Sequence, residues 1–185
     1  MEFEKVIESR RSYRALEKVE ITENMIEQLV KAASLAPSCY NNQPWEFVFI
    51  RSKEKLEQLF DAYSKGNEWC KQASAVIVVI SKKEDDCVIE QRMYYQFDTG
   101  MATSMLLLKA TELGLVAHPI AGFNPAKVRA IINLPSDYEI ITLLIIGKKS
   151  LDLSSLTKTW QIESEMHRPE RKKIQEFFFI DNFGK

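Results

Sequence analysis

Ala75-Val76-Ile77-Val78-Val79-Ile80 is an unbroken apolar run of strand length, and it reads as a buried strand. Ile140 to Ile146 reads as a second one, and Trp45 to Ile50 as a strand that follows a polar loop. Helical patterns lie around these strands. Phe3, Val6 and Ile7 mark a first short helix. Thr22 is suited to cap a second, with Ile21 and Ile26 spaced as a hydrophobic staple and Ile26, Leu29, Val30 and Ala33 on its apolar face. Pro37 disfavours helical geometry at Ala36, so that helix is expected to end there. Ser52 can cap a short helix carrying Leu56, Leu59 and Phe60. Residues 84 to 115 give the longest helical pattern, with Ser81 and Glu84 as its capping box, and it is apolar on most of its circumference from Gly100 onward. His118 to Phe123 reads as a turn-rich connection, and Asn124-Pro125 as the start of another helix. After Gly147 the composition turns charged and aromatic. Phe177-Phe178-Phe179-Ile180 has too little local sequence to cover it, so residues 150–185 read as an arm that packs elsewhere, across a dimer.

The 185 residues fit one domain with a real core. A net charge of -1 argues against a protein built around nucleic-acid backbone binding. The N-terminus lacks a signal-peptide layout and no apolar run is long enough to cross a bilayer, so a cytoplasmic protein without membrane or nucleic-acid partners is expected. Cys39, Cys70 and Cys87 are far apart, form no CxxC and are odd in number; they read as reduced thiols. With only His118 and His167 available, no metal centre is expected.

Arg10-Arg11-Ser12-Tyr13-Arg14 places three guanidinium groups and two hydroxyls in five residues. Such a cluster either stays solvated beside a helix C-terminus or grips a phosphate. Pro37-Ser38-Cys39-Tyr40-Asn41-Asn42-Gln43-Pro44 is either an ordinary turn or a loop whose Ser38, Asn41 and Gln43 face a polar ligand edge. His118 reads as a packing histidine, Cys39 as a small buried thiol, and Met101 and Met105 as core. The chain contains no G-x-G-x-x-G after a strand, no Walker loop, no G-x-S-x-G elbow and no catalytic Cys–His or carboxylate pair. An enzyme of this composition borrows its reactive group.

Taken in order, RRSYR at 10–14, APSCYNNQPWEFVFI at 36–50, GNEW at 66–69, DTGMATSMLLLKATELGL at 98–115 and HPIAGFNPAKV at 118–128 resemble the FMN-dependent nitroreductase family. The resemblance implies an α+β, nitroreductase-like fold: a mixed, mainly antiparallel sheet flanked by helices, in an intertwined homodimer with an exchanged C-terminal arm. It implies non-covalent FMN at the dimer interface. Arg10, Ser12 and Arg14 match the positions that hold the ribityl phosphate, and Arg11 a position near the pyrimidine side. Pro37, Ser38, Cys39, Asn41 and Gln43 match the loop that the other subunit supplies, and Asn67 a contact to the polar edge of the ring. Pro119, Ile120, Ala121 and Gly122 match the loop against the ring, with a backbone N–H toward N5. Arg168, or His167 beside it, resembles the basic position that closes the phosphate site.

The implied activity is a ping-pong oxidoreductase, with hydride passing from NADH or NADPH through flavin N5 to a small acceptor such as a nitroaromatic or quinone. Other FMN enzymes share the scaffold: free-flavin reductases, reductive dehalogenase-like proteins and flavin-fragmenting oxygenases. A non-catalytic flavin sensor is a further alternative. Ala121 replaces an acidic residue common in the family, and Cys70 stands where some members carry a lysine.

Overall fold

In the computed structural model, which describes residues 2–184, helices and short strands surround one five-stranded sheet. In chain order the elements are α1 (Phe3–Ser9), β1 (Leu16–Glu17), α2 (Glu23–Ala33), β2 (Trp45–Ile50), α3 (Lys53–Gln58), β3 (Ala75–Ser81), β4 (Val88–Ile89), β5 (Arg92–Met93), α4 (Tyr95–Glu112), β6 (Val116–Ile120), α5 (Pro125–Ile132), β7 (Glu139–Lys149) and α6 (Thr159–Met166). β3 lies between β2 and β7; the other edge of β7 pairs with β6, and the end of β7 at Lys148 and Lys149 pairs with β1. Every pairing among the described strands is antiparallel.

β3 is buried along its whole length because both faces of the sheet are covered. Its side chains alternate with the strand's period of two. Val76, Val78 and Ile80 join Leu143 and Ile145 of β7 in one core, with Leu59, Trp69, Val128 and Leu156. Ala75, Ile77 and Val79 join Leu144 and Ile146 in a second core, with Leu29 and Ala33 of α2 and Ala102, Leu106 and Ala110 of α4. Truncating a side chain as enclosed as Ile77 removes about 2–5 kcal/mol through lost transfer energy and the remaining cavity.

The helix starts follow local chemistry. Thr22 Oγ1 accepts from the Met25 N–H at 3.3 Å, and Asn124 Oδ1 accepts from the Lys127 N–H at 3.1 Å with Pro125 at the first helical position. Ser52 occupies an N-cap position but makes no side-chain capping bond. No helix among the described residues is long and apolar enough to cross a membrane.

Three expectations change. The helix expected from residue 84 begins at Tyr95, because Val88 and Ile89 favour extended backbone and pair with Met93 and Arg92 across a turn at left-handed Glu90 (φ 59°). Ser81 does not cap a helix; it ends β3, and its hydroxyl donates to the Pro44 carbonyl at 2.8 Å. The supposed turn at 118–123 is half strand, since His118, Pro119 and Ile120 pair with Ile145, Leu144 and Leu143. Pro119 fits there because a proline at a strand position need only forgo donating its own N–H.

Candidate active site

The arginine segment leaves α1 and runs under α6, which reaches back from late in the chain. Arg10, Arg11, Ser12 and Arg14 line a cavity of about 420 Å³ together with Trp160, Ser164, Arg168, Pro169 and Arg171. Five of these residues are arginines and none carries a carboxylate. Arg11 donates to the Ser164 carbonyl and, at 3.0 Å, to that of His167. Arg14 Nη1 donates to Ser164 Oγ at 3.2 Å, and its guanidinium lies 4.7 Å from the centre of the Trp160 ring. Arg168 reaches back to the Glu8 and Arg10 carbonyls. Burial, followed by Arg168 and Arg171, lowers the Arg10 pKa. Burial also lowers that of Arg14, against the pull of Glu165. Like charges brought together at a concave, partly desolvated surface repel one another until an anion enters.

Behind this cavity the loops are stitched together. Glu165, buried, accepts the Arg14 N–H at 2.8 Å through Oε1. Gln161 Nε2 donates to the Gly66 carbonyl at 2.8 Å. The next residue, Asn67, donates through Nδ2 to the Gly122 carbonyl at 2.9 Å, and the Ser64 N–H donates to the same oxygen at 3.0 Å. A Cβ on Gly122 would sit 2.5 Å from Asn67 Nδ2, so the close approach depends on glycine. His118 Nδ1 lies 3.0 Å from the Tyr13 carbonyl, which only accepts, so Nδ1 carries the proton. The His118 ring packs on buried Trp69 at 4.6 Å, and burial lowers its pKa to about 4. It is a packing histidine that fixes the arginine segment to β6.

The Nitroreductase family profile matches residues 7–68 and 63–148. This chain belongs to the nitroreductase family. A relative from Archaeoglobus fulgidus, provisionally named NADH dehydrogenase/NAD(P)H nitroreductase, is 30% identical over 148 residues, covering 77% of this chain and 83% of that protein. A nitroreductase family structure from Clostridium difficile superposes with a TM-score of 0.80 at 25% identity, over 99% of this chain and 100% of its own. A chain from Exiguobacterium sibiricum, provisionally named a nitroreductase and solved with FMN, shares the fold with a TM-score of 0.80 at 22% identity, over 98% of each chain. The nitroreductase fold, α+β with an antiparallel sheet, is therefore the fold of this molecule.

Within this nitroreductase-family chain the expected site residues fall into two groups. Arg10, Arg11, Ser12, Arg14 and Arg168 meet at one cavity, and Asn67, Pro119, Ile120, Ala121 and Gly122 adjoin it through the Gly66–Asn67 turn and α6. Pro37, Ser38, Cys39, Asn41 and Gln43 do not line that cavity; their loop lies against the start of α4, where the Cys39 N–H donates to Asp98 Oδ2 at 2.6 Å. Cys39 is not the free thiol expected: it is bonded to Cys87, 48 positions away in sequence but brought beside the loop by the β4–β5 hairpin. Cys70 alone stays free, and burial raises its thiol pKa far above the usual range. Sequence reasoning missed Trp160, Gln161, Ser164 and Glu165. Their i, i+1, i+4, i+5 spacing on one helical face was visible, but it said nothing about which loops that helix faces.

Proposed function

We propose that this chain is an FMN-dependent oxidoreductase that draws hydride from NADH or NADPH and delivers it to a small acceptor such as a nitroaromatic or quinone. The observation that carries the reading is the cavity of about 420 Å³ lined by five arginines and no carboxylate. Its volume lies within the roughly 300–1,000 Å³ usual for small-ligand sites. Its donor set suits a dianionic phosphate, because guanidinium groups make charge-assisted, paired hydrogen bonds to phosphate oxygens.

Arg10, Arg14 and Arg168, with the Ser12 hydroxyl, would hold the phosphate, and Arg11, Asn67 and the 119–122 backbone the ring side. When bound, FMN supplies the redox chemistry by accepting and returning hydride at N5. The chain's own residues position and tune. Ser64 and Asn67 fix the Gly122 carbonyl and with it the Gly122–Phe123 peptide that ends the 119–122 loop. Ser164 and Trp160 hold the Arg14 fork in place before any anion arrives, so little side-chain freedom is lost on binding.

The same geometry supports a homodimer. The 37–43 loop lies outside the arginine cavity, as expected of a loop that serves a shared cofactor from a second copy. Phe3 and Ile7 of α1, Phe97 and Met105 of α4, and Phe177, Phe178 and Phe183 beyond α6 expose apolar surface suited to that contact. Residues 1–185 then act as one domain, with the tail after α6 as the segment that reaches across.

Purified protein is expected to be yellow, to release FMN on denaturation and to bleach on mixing with NADH or NADPH. Colourless protein that does not take up added FMN contradicts the reading.

A further inference from the structure

The loop at 37–43 is held in an unfavourable backbone conformation. Tyr40 (φ 48°), Asn41 (φ 60°) and Gln43 (φ 51°) are all left-handed, and none is glycine. Local bonds oppose the strain: the Gln43 N–H donates to Ser38 Oγ at 3.0 Å, and Asn42 Nδ2 to Asp86 Oδ1 at 3.2 Å. The covalent tie is the Cys39–Cys87 disulfide. Cys87 opens the β4–β5 hairpin, whose Val88, Ile89 and Met93 side chains are exposed, and its carbonyl accepts the Tyr94 N–H at 3.1 Å just before α4 begins. The bond therefore joins the strained loop to the entrance of α4.

Asp86 lies beside the bond. Its carboxylate is buried, and Oδ2 has no hydrogen-bond partner. Ligand atoms of Cys39, Asp86 and Cys87 lie within 4.8 Å of one another. Two thiols there present S–H donors beside the Asp86 carboxylate, which also interacts with the neighbouring Asp98 carboxyl, whereas the disulfide offers none. Closed, the pair restrains the loop; open, it can satisfy the carboxylate.

We propose that Cys39 and Cys87 form a reversible redox clasp that sets the order of the 37–43 loop. A small dithiol opens it: the S–S bond breaks, two electrons and two protons pass to the cysteines, and the reductant closes into its own cyclic disulfide. An oxidised low-molecular-weight disulfide reverses the exchange. The clasp itself stands on the geometry; its consequence for the cofactor rests on the function proposed above, since it places this loop at the FMN site.

The test uses the full chain, purified without reductant and then treated with dithiothreitol. Alkylation under denaturing conditions is expected to count one thiol before reduction and three after, in line with one free and two bonded cysteines. Amide hydrogen exchange is expected to rise roughly tenfold at 37–43 on reduction while Ala75–Ser81 stays protected. Cys87→Ser should reproduce the reduced pattern without reductant, and protection of β3 shows that the variant is folded. Three thiols in the untreated protein, or loop exchange indifferent to reduction, overturns the clasp. FMN titration of both forms reads the consequence. Weaker binding after reduction supports it, and unchanged affinity with a loosened loop overturns the link to the cofactor. A protein that binds no FMN in either form refutes the proposed function, while the thiol count and exchange still decide the clasp.

Discussion

The arginine segment at 10–14 and the loop at 37–43 are both short, polar and rich in hydrogen-bonding groups, yet they are built in opposite ways. The first is assembled from distant parts of one chain: its guanidinium groups are held by Ser164, His167 and the Trp160 ring, about 150 positions later. The second is held by near neighbours, two carboxylates and one disulfide, and it presents Tyr40 with 89% of its surface exposed. A preformed cation site can wait for a ligand without reorganising. A strained, outward-facing loop leaves surface for a partner, which in the proposed homodimer is the second copy.

Four experiments can break that contrast, taken from the largest expected effect to the smallest. Cys87→Ser removes a cross-link spanning 48 positions, and loop-closure entropy predicts a loss of about 4 kcal/mol in urea unfolding under oxidising conditions. Dithiothreitol should erase the difference from the parent protein; an equal difference in both conditions means that the cross-link is not what stabilises the loop.

Acid should loosen the arginine side. His118 titrates near 4 in the fold against about 6.5 in the unfolded chain. The unfolded chain therefore binds the proton first. Stability is complete above pH 6.5 and is lost as pH falls from there toward 4, by about 3 kcal/mol. His118→Phe should flatten that slope in acid unfolding curves; a variant that keeps the full slope assigns the loss to other groups.

Arg14→Ala removes one charge-assisted contact to the expected phosphate. The cost is about 2–3 kcal/mol, a loss of roughly 30- to 150-fold in FMN affinity by absorbance titration, with the dimer unchanged by sedimentation. Normal affinity would move the phosphate away from this cavity. Gly122→Ala forces Asn67 off the Gly122 carbonyl and should cost about 1–2 kcal/mol in unfolding. The variant should fold normally but with altered NADH turnover, and full activity would show that this loop does not position the ring.

The sequence made legible what local rules determine. Trp45–Ile50 is bounded as observed, Ala75–Ile80 to within one residue, and the Thr22 and Asn124 caps are in place, because burial and capping act over a few residues. The arginines were legible as a cluster, and their order among the later blocks linked them to the family. What long-range packing decides was not legible. Periodicity extended α4 through a hairpin that two β-branched residues and a left-handed Glu90 create. An odd cysteine count hid one bonded pair, since a pair 48 positions apart leaves no local pattern. The face of α6 that closes the cavity depends on where the chain returns after β7, and no residue near 160 records that.

The central claim is that the arginine cavity holds the phosphate of a flavin mononucleotide. It is tested most directly by titrating the apoprotein with FMN and with riboflavin, the same ring system without the phosphate. FMN is predicted to bind tighter by at least roughly 150-fold, the equivalent of two or more charge-assisted hydrogen bonds at about 1.5–3 kcal/mol each, and Arg14→Ala should narrow that gap. Equal affinities for the two flavins would contradict the account.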